Sequence, residues 1–78
     1  MVTIELFGVP RLRAGRAKVV CDAETVGRAL RNLTATCPAL EDTVVVGDRV
    51  RPSYILSING ERFVSDPEDT LQSGDVLM

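Results

Sequence analysis

The sequence contains no histidine and only two cysteines, and both shortages limit the chemistry that it can support. Histidine is the commonest general base and a usual ligand of zinc, so both roles lose their main candidate. Cys21 and Cys37 are too few for a disulfide framework and lack the spacing of metal ligands. Gly8 and Gly15 are too isolated to form a phosphate-binding loop. We therefore predict no catalytic residue, no metal site and no bound cofactor.

The sequence also lacks an excess of positive charge and a long apolar run. Nine basic and eleven acidic residues give a formal net charge of −2. Nucleic-acid-binding domains usually carry a basic excess or stripe, so we expect no nucleic-acid partner. The opening residues MVTIELFGVP do not resemble a signal peptide, and no later segment is long enough to span a membrane. We expect a cytoplasmic protein with no membrane partner.

The length of 78 residues predicts one small domain over residues 1–78. A chain of this size buries only ~60% of its unfolded surface. The core is therefore expected to be modest, with little room for an internal active-site cavity.

The clearest local signal lies in the last third of the chain, at Asn59-Gly60. This pair separates two runs of strand-forming residues, and it supplies the positive φ angles that a type I′ turn requires. A two-residue turn predicts a fixed register, in which Ile58 faces Glu61 and Leu56 faces Phe63. The predicted core face then carries Leu56, Ile58 and Phe63, and the predicted outer face carries Ile55, Ser57 and Arg62. Val76-Leu77-Met78 begins a further apolar strand.

The first third of the chain predicts a second pair of strands. Alternating residues from Val2 to Phe7 indicate a half-buried strand, with Val2, Ile4 and Leu6 on the core face and Phe7 pointing outward. Lys18–Asp22 indicates an antiparallel partner, and we favour Val20 as its inward residue. The basic segment RLRAGR between them is expected to be a connecting loop. Its charge indicates either contact with an acidic partner or simple exposure to water.

Residues Thr25–Thr36 predict the main helix. Thr25 precedes an apolar-periodic run and is a suitable N-cap, and Pro38 places the end near Thr36. The apolar stripe consists of Val26, Ala29, Leu30, Leu33 and Cys37. Residues 39–53 are expected to form an irregular connection, with a short strand at Val44–Val46.

This order of elements predicts an α+β domain with the β-grasp, or ubiquitin-like, fold. Two hairpins flank one helix, so the helix should pack across one face of a mixed sheet of four to five strands. The first and last strands should lie side by side in the middle of that sheet.

Five segments of the chain resemble one known family, the small β-grasp sulfur-carrier proteins. The family includes the small subunit of molybdopterin synthase and the sulfur carrier of thiamine biosynthesis, and the molybdopterin branch is slightly more similar. The matching segments, in order, are FGVPRLRAG, TVGRAL, CPAL, VRPSYILSING and DTLQSGDVL. Each segment is weak alone, but together they span most of the chain.

The resemblance implies a carrier that is a co-substrate and not an enzyme, or the small, non-catalytic subunit of a synthase. In this family an E1-like adenylating enzyme uses ATP to activate a C-terminal Gly-Gly, which then becomes a thiocarboxylate and donates sulfur to a synthase subunit. The sequence contains no such Gly-Gly tail. We expect the tail to follow a few residues after the position of Met78. A ubiquitin-like interaction module without covalent sulfur chemistry is the alternative.

Family members dock through the outer face of the sheet, so the resemblance also implies a partner-binding site. The candidate residues on this face are Phe7, Ile55, Ser57 and Arg62. Phe7 is equally well explained as a scattered surface residue, and Arg62 as a solvated charge. Cys21 and Cys37 are expected to pack in the interior and not to relay sulfur. The pathway that receives the sulfur does not follow from the sequence.

Overall fold

A computed structural model describes all residues from Met1 to Met78. Its main sheet has five strands in the order β2-β1-β7-β5-β6. These strands are β1 (Val2–Glu5), β2 (Lys18–Cys21), β5 (Ser57–Ile58), β6 (Arg62–Phe63) and β7 (Val76–Leu77). The helices are α1 (Gly8–Ala14), α2 (Val26–Thr36) and a 3₁₀ helix (Pro38–Leu40), and a separate hairpin consists of β3 (Val45–Val46) and β4 (Arg49–Val50). No helix combines the length and the apolar character needed to cross a bilayer.

The first and last strands form the centre of the sheet, as predicted. They run parallel, with Thr3 beside Val76 and Ile4 beside Leu77. Strand β2 pairs with β1, and β5 pairs with β7 and β6, all in antiparallel fashion. This mixed sheet with one main helix on one face confirms the predicted β-grasp architecture.

Helix α2 covers the sheet through the predicted apolar stripe. The Thr25 hydroxyl accepts a hydrogen bond of 3.3 Å from the Arg28 amide, which confirms the N-cap. The core contains seventeen buried side chains, and every predicted stripe residue is among them. They are Val2, Ile4, Leu6, Val19, Val26, Ala29, Leu30, Leu33, Cys37, Leu40, Val44, Val45, Leu56, Ile58, Val64, Leu71 and Leu77.

The sequence predicted a loop for the segment RLRAGR, but residues 11–14 of it belong to helix α1. Gly15 ends this helix with a φ of 73°, and its amide donates to the Arg11 carbonyl. The left-handed angle suits a glycine because it has no Cβ. Arg, Leu and Ala are good helix formers, so the local sequence favours helix over an open loop once both ends are fixed.

Val19, and not Val20, is the inward residue of β2. The register places Val19 opposite Ile4, and Val20 opposite Thr3. Residues directly opposite each other in an antiparallel pair lie on the same face of the sheet. Because Ile4 is in the core, Val19 is buried at 5% exposure and Val20 is 53% exposed.

The connection after α2 is more regular than predicted. The expected strand at Val44–Val46 is present as β3, but it also pairs with β4 in a small hairpin. The 3₁₀ helix precedes this hairpin and buries Leu40 completely. Leu40, Val44 and Val45 close the core at the end of α2. Their packing holds the segment in a regular conformation that the local sequence did not indicate.

The predicted turn at Asn59-Gly60 is present, but the predicted strand register around it is wrong by one residue. Asn59 and Gly60 have φ values of 55° and 68°, as a type I′ turn requires. The paired residues are Ile58 with Arg62 and Ser57 with Phe63, so Glu61 is an extra loop residue. Phe63 therefore leaves the core face, and Val64 takes the inward position opposite Leu56.

Asn59 at this turn is also bonded to the neighbouring strand β7. The Asn59 amide donates to the Val76 carbonyl at 2.7 Å, and the Asn59 Oδ1 accepts from the Val76 amide at 2.8 Å. Its side-chain amide donates to Asp75 Oδ1 at 3.2 Å. These bonds hold Asn59 beside β7. The Glu61 amide closes the turn by donating to the Ile58 carbonyl at 3.0 Å, and the strand pairing with β5 begins one residue later, at Arg62.

Candidate partner-binding site

Phe7 lies at the end of β1, on the outer face of the sheet. Its φ of −132° and ψ of 153° continue the extended strand for two residues past Glu5. The alternation along β1 turns Phe7 away from the core that buries Ile4 and Leu6. Its side chain is 55% exposed, as predicted for an outward residue.

Ile55 precedes β5, and Phe7 follows β1; these two strands flank β7 in the sheet. It is 75% exposed and lines the same groove as Phe7, together with Tyr54 and Met78. The structure therefore brings Phe7 and Ile55 to one surface, as their predicted outward alternation requires. Ser57 is half-buried on this outer face, where its amide and carbonyl pair with Met78.

Arg62 does not join these residues. Its predicted position on the outer face is wrong, because the shifted register places it opposite Ile58, whose side chain points into the core. Arg62 is exposed and shares a shallow polar hollow with Asp75 and Gln72. The structure therefore does not place Arg62 on the same surface as Phe7.

Phe63 occupies the outer position that the sequence assigned to Arg62. It lies opposite Ser57 and is 79% exposed. Ile55 and Phe63 line one shallow cavity, just as Ile55 and Phe7 line the neighbouring groove. We call Phe7, Ile55 and Phe63 the outer apolar patch. Asn59-Gly60 is compatible with a hairpin loop of two residues or of three, so the local sequence did not decide which face Phe63 takes.

A groove with an apolar floor lies beyond Met78, between the ends of β1 and β5; we call it the end groove. Its volume is about 240 Å³, and most of the residues that line it are hydrophobic. On one side, Leu6 remains paired with β2 through its amide, which donates to the Ala17 carbonyl at 2.8 Å. On the other side, the Leu56 carbonyl accepts a hydrogen bond of 2.9 Å from the Val64 amide. The backbone N–H and C=O of Ile55 bond to no other backbone group.

Two ionisable side chains outside the end groove have displaced pKa values. The amide of Gln72, followed by the side chain of Asn59 and the charge of Arg62, lowers the pKa of the Asp75 carboxyl. Burial raises the pKa of the Cys21 thiol, and the nearby Asp22 charge acts in the same direction. The Asp75 bonds serve the turn before β7, since Gln72 donates to its Oδ2 at 2.8 Å. Cys21 is a protonated thiol that is only partly buried at the edge of the core, whereas Cys37 is buried as predicted.

No group of three or more histidine, cysteine, aspartate or glutamate side chains is placed to hold a metal ion. Cys21 ends β2, while Cys37 is buried at the end of α2, and both are free thiols. The outer apolar patch and the end groove together form the candidate partner-binding surface.

Comparison with solved structures gives several similar folds. SAMP1 from Haloferax volcanii is 30% identical, with a TM-score of 0.79, and the match covers 97% of this chain and 88% of that one. A second structure, of the H. volcanii small archaeal modifier protein 1, is also 30% identical, with a TM-score of 0.77 and coverage of 97% and 90%. The BexX/CysO complex of Amycolatopsis orientalis matches at 18% identity and a TM-score of 0.80, covering 99% and 90%. No protein-family model and no curated protein matches the chain.

Proposed function

Because the chain belongs to the β-grasp, ubiquitin-like sulfur-carrier family, we propose that it is a sulfur carrier activated at its C-terminus. In this proposal a partner enzyme adenylates the terminal carboxylate with ATP and releases pyrophosphate. A sulfur donor then displaces AMP, and the resulting thiocarboxylate gives its sulfur to a synthase in cofactor or metabolite biosynthesis. The chain supplies the acyl group and the docking surface, and the partner supplies the catalysis.

The proposal requires a Gly-Gly tail after the position of Met78. Glycine has no Cβ, so such a tail can enter a narrow channel and adopt conformations closed to other residues. The tail must also extend away from the folded domain to reach an active site on another protein. The ends of β1 and β5 offer a path for it.

The observation that carries this proposal is the 30% identity to SAMP1 over 97% of this chain, and the end groove offers a path for the tail that the proposal requires. Side chains alternate along β7, so with Leu77 buried and Met78 on the outer face, a following residue would direct its side chain into the apolar floor. The residue after that would lie between Phe7 and Ile55, where the Ile55 N–H and C=O are available for pairing. A strand continued in this way would leave the sheet beside the outer apolar patch.

We assign the outer apolar patch to the E1-like adenylating enzyme, and in turn to the sulfur-accepting synthase subunit. Both must reach the same tail, so a shared docking surface next to its exit serves both encounters. The molybdopterin branch is favoured by the resemblance of the long segment before Tyr54. The second candidate function is a ubiquitin-like interaction module, which the exposed Phe7, Ile55 and Phe63 would serve without sulfur chemistry.

Intact mass spectrometry tests the carrier function directly. The full-length native protein is incubated with its adenylating enzyme, ATP and a sulfur donor, next to a form that ends at Met78. Replacement of one oxygen by sulfur adds about 16 mass units, and we expect this gain in the full-length protein only. A persulfide on Cys21 or Cys37 would instead add about 32 mass units.

Omission of ATP is the necessary control, because oxidation of Met1 or Met78 also adds about 16 mass units and does not depend on ATP. A gain that requires ATP and is mapped to the C-terminal peptide supports the carrier. A full-length protein that binds the enzyme but never gains this mass would leave the interaction module as the function.

A further inference from the structure

Helix α1 carries an exposed apolar side chain for which the carrier function gives no use. None of its seven residues is buried, and Leu12 is 81% exposed. Pro10 and Ala14 are the parts of the helix that face the protein: Pro10 lines the end groove and Ala14 packs against the core. Residues four apart share a side of a helix, so Leu12, midway between these two, points directly away from the domain.

Basic side chains surround Leu12. Arg11 and Arg13 lie on its two sides along the helix, and Arg16 follows the C-cap glycine. From Gly8 to Lys18 the chain carries four basic residues and no acidic one. The opposite balance holds from Asp66 to Asp75, where four acidic residues occur without a basic one. The segment from Gly8 to Lys18 is therefore locally basic, although the chain as a whole has a net charge of −2.

Helix α1 also lies at the end of the sheet where Met78 is found. It directly follows β1, which runs parallel to β7, and both Phe7 and Pro10 line the end groove with Met78. A protein that receives a C-terminal tail at this end would meet α1 as well.

We propose that α1 is a docking surface for an acidic protein surface with an apolar pocket, in which Leu12 fills the pocket and Arg13 and Arg16 face the carboxylates. This inference rests on the proposed function, because it assigns that surface to the adenylating enzyme. Charge complementarity indicates the chemistry of the partner: Arg11 and Arg13 on α1 and Arg16 just after it have no acidic residue among them, which favours an anionic surface. Leu12 supplies an apolar anchor at its centre.

An acidic protein fits these features better than other anionic partners. Membrane binding scales with the apolar area that is buried in the bilayer. Helix α1 has seven residues and only two exposed large apolar side chains, Val9 and Leu12, so it would bind a bilayer weakly. Nucleic acid would be repelled by the net negative charge of the remainder. The remaining alternative partner of α1 is the acidic segment Asp66–Asp75 of a second copy of this chain. The experiment below distinguishes this self-association from binding to the enzyme.

ATP–pyrophosphate exchange by the purified adenylating enzyme, with the full-length protein as substrate, tests the docking surface. We expect Leu12→Gln and the double variant Arg13→Glu/Arg16→Glu each to raise the KM for the carrier about tenfold. The kcat should stay unchanged, because none of these side chains touches the reacting carboxylate. Arg31→Glu is the matched control, an exposed arginine on α2, and should leave KM unchanged.

Direct titration of the enzyme keeps this inference distinct from the carrier function. The wild-type affinity should fall as salt rises, and the double variant should lose most of that dependence. Binding without pyrophosphate exchange would reject the carrier function but leave α1 as the docking surface if the variants bind more weakly. Equal KM and equal affinity for wild type and variants would overturn the inference. So would self-association, or binding to anionic lipid vesicles, that the same variants abolish while enzyme binding is retained.

Discussion

Gly27 and Pro67 approach each other so closely that no side chain fits between them. A Cβ on Gly27 would lie 2.9 Å from the Pro67 Cβ and 3.1 Å from the Pro67 carbonyl oxygen. The contact fixes the start of α2 on the loop before β7. Two first-turn amides, which a helix cannot satisfy itself, donate to this loop: Gly27 to Pro67 and Val26 to Asp69, both at 2.9 Å.

Gly27→Ala should therefore destabilise the domain, although alanine is the better helix former. We expect a loss of about 1–3 kcal/mol in the free energy of unfolding, because Pro67 must move and strain both hydrogen bonds. Denaturant unfolding measures the change. As a control, Ala35→Gly at an exposed position of the same helix should cost about 1 kcal/mol from helix propensity alone. A Gly27→Ala protein that is more stable than the parent would show that the loop moves aside without strain.

Leu30→Ala should remove the centre of the core. Leu30 is 1% exposed and faces the sheet from α2, so truncation leaves a cavity in a domain with few other contacts to compensate. The expected cost is about 2–5 kcal/mol in the free energy of unfolding. Leu12→Ala, the same truncation on the exposed face of α1, should change stability little. Similar unfolding midpoints for Leu30→Ala and the parent would contradict the packing of α2.

Phe7→Ala and Phe63→Ala should weaken binding to the adenylating enzyme and leave thermal stability nearly unchanged. Both side chains are exposed on the outer apolar patch, and truncating a central aromatic anchor typically costs ~2 kcal/mol or more at an interface. Arg62→Ala should have a smaller effect, since Arg62 lies away from the patch. Titration of the enzyme with each variant gives the affinities, with Val46→Ala as an exposed control on the separate hairpin. Unchanged affinity for both phenylalanine variants would remove the patch from the docking surface.

Asp75 should make the stability of the domain depend on pH. The Gln72 amide is the main cause that lowers the pKa of the folded carboxyl below its ordinary value of 3.8, and Asn59 adds to it. A pKa that is lower in the folded state gives stability that is present above the unfolded value and is lost as pH falls through the folded one. Asp75→Asn should lower the melting temperature at neutral pH, and its difference from the parent should shrink below pH 3.8.

Thermal unfolding of both proteins from neutral to acidic pH measures this effect. Glu61→Gln, a change of the same charge at an exposed residue of the neighbouring turn, controls for net charge. A difference between Asp75→Asn and the parent that is constant with pH would mean that the carboxyl titrates alike in both states.

The sequence by itself determined the elements whose signals are local. The alternation of Val2, Ile4 and Leu6, the apolar period of α2 and its Thr25 cap are properties of neighbouring residues, and each was predicted correctly. The positive φ angles at Asn59-Gly60 follow in the same way from the residues themselves. The order of these elements was then enough for the β-grasp fold and for the outward positions of Phe7 and Ile55.

Tertiary structure alone decided the features that depend on pairing between distant segments. Val19 is buried because Ile4 lies opposite it. Phe63 is exposed because the loop includes Glu61 and the register places Phe63 opposite Ser57 on the outer face. A shift of one residue moves every side chain of a strand to the opposite face. The local pattern of β6 was compatible with either face, and its pairing with β5 decided between them. That single reversal replaced Arg62 by Phe63 on the outer surface.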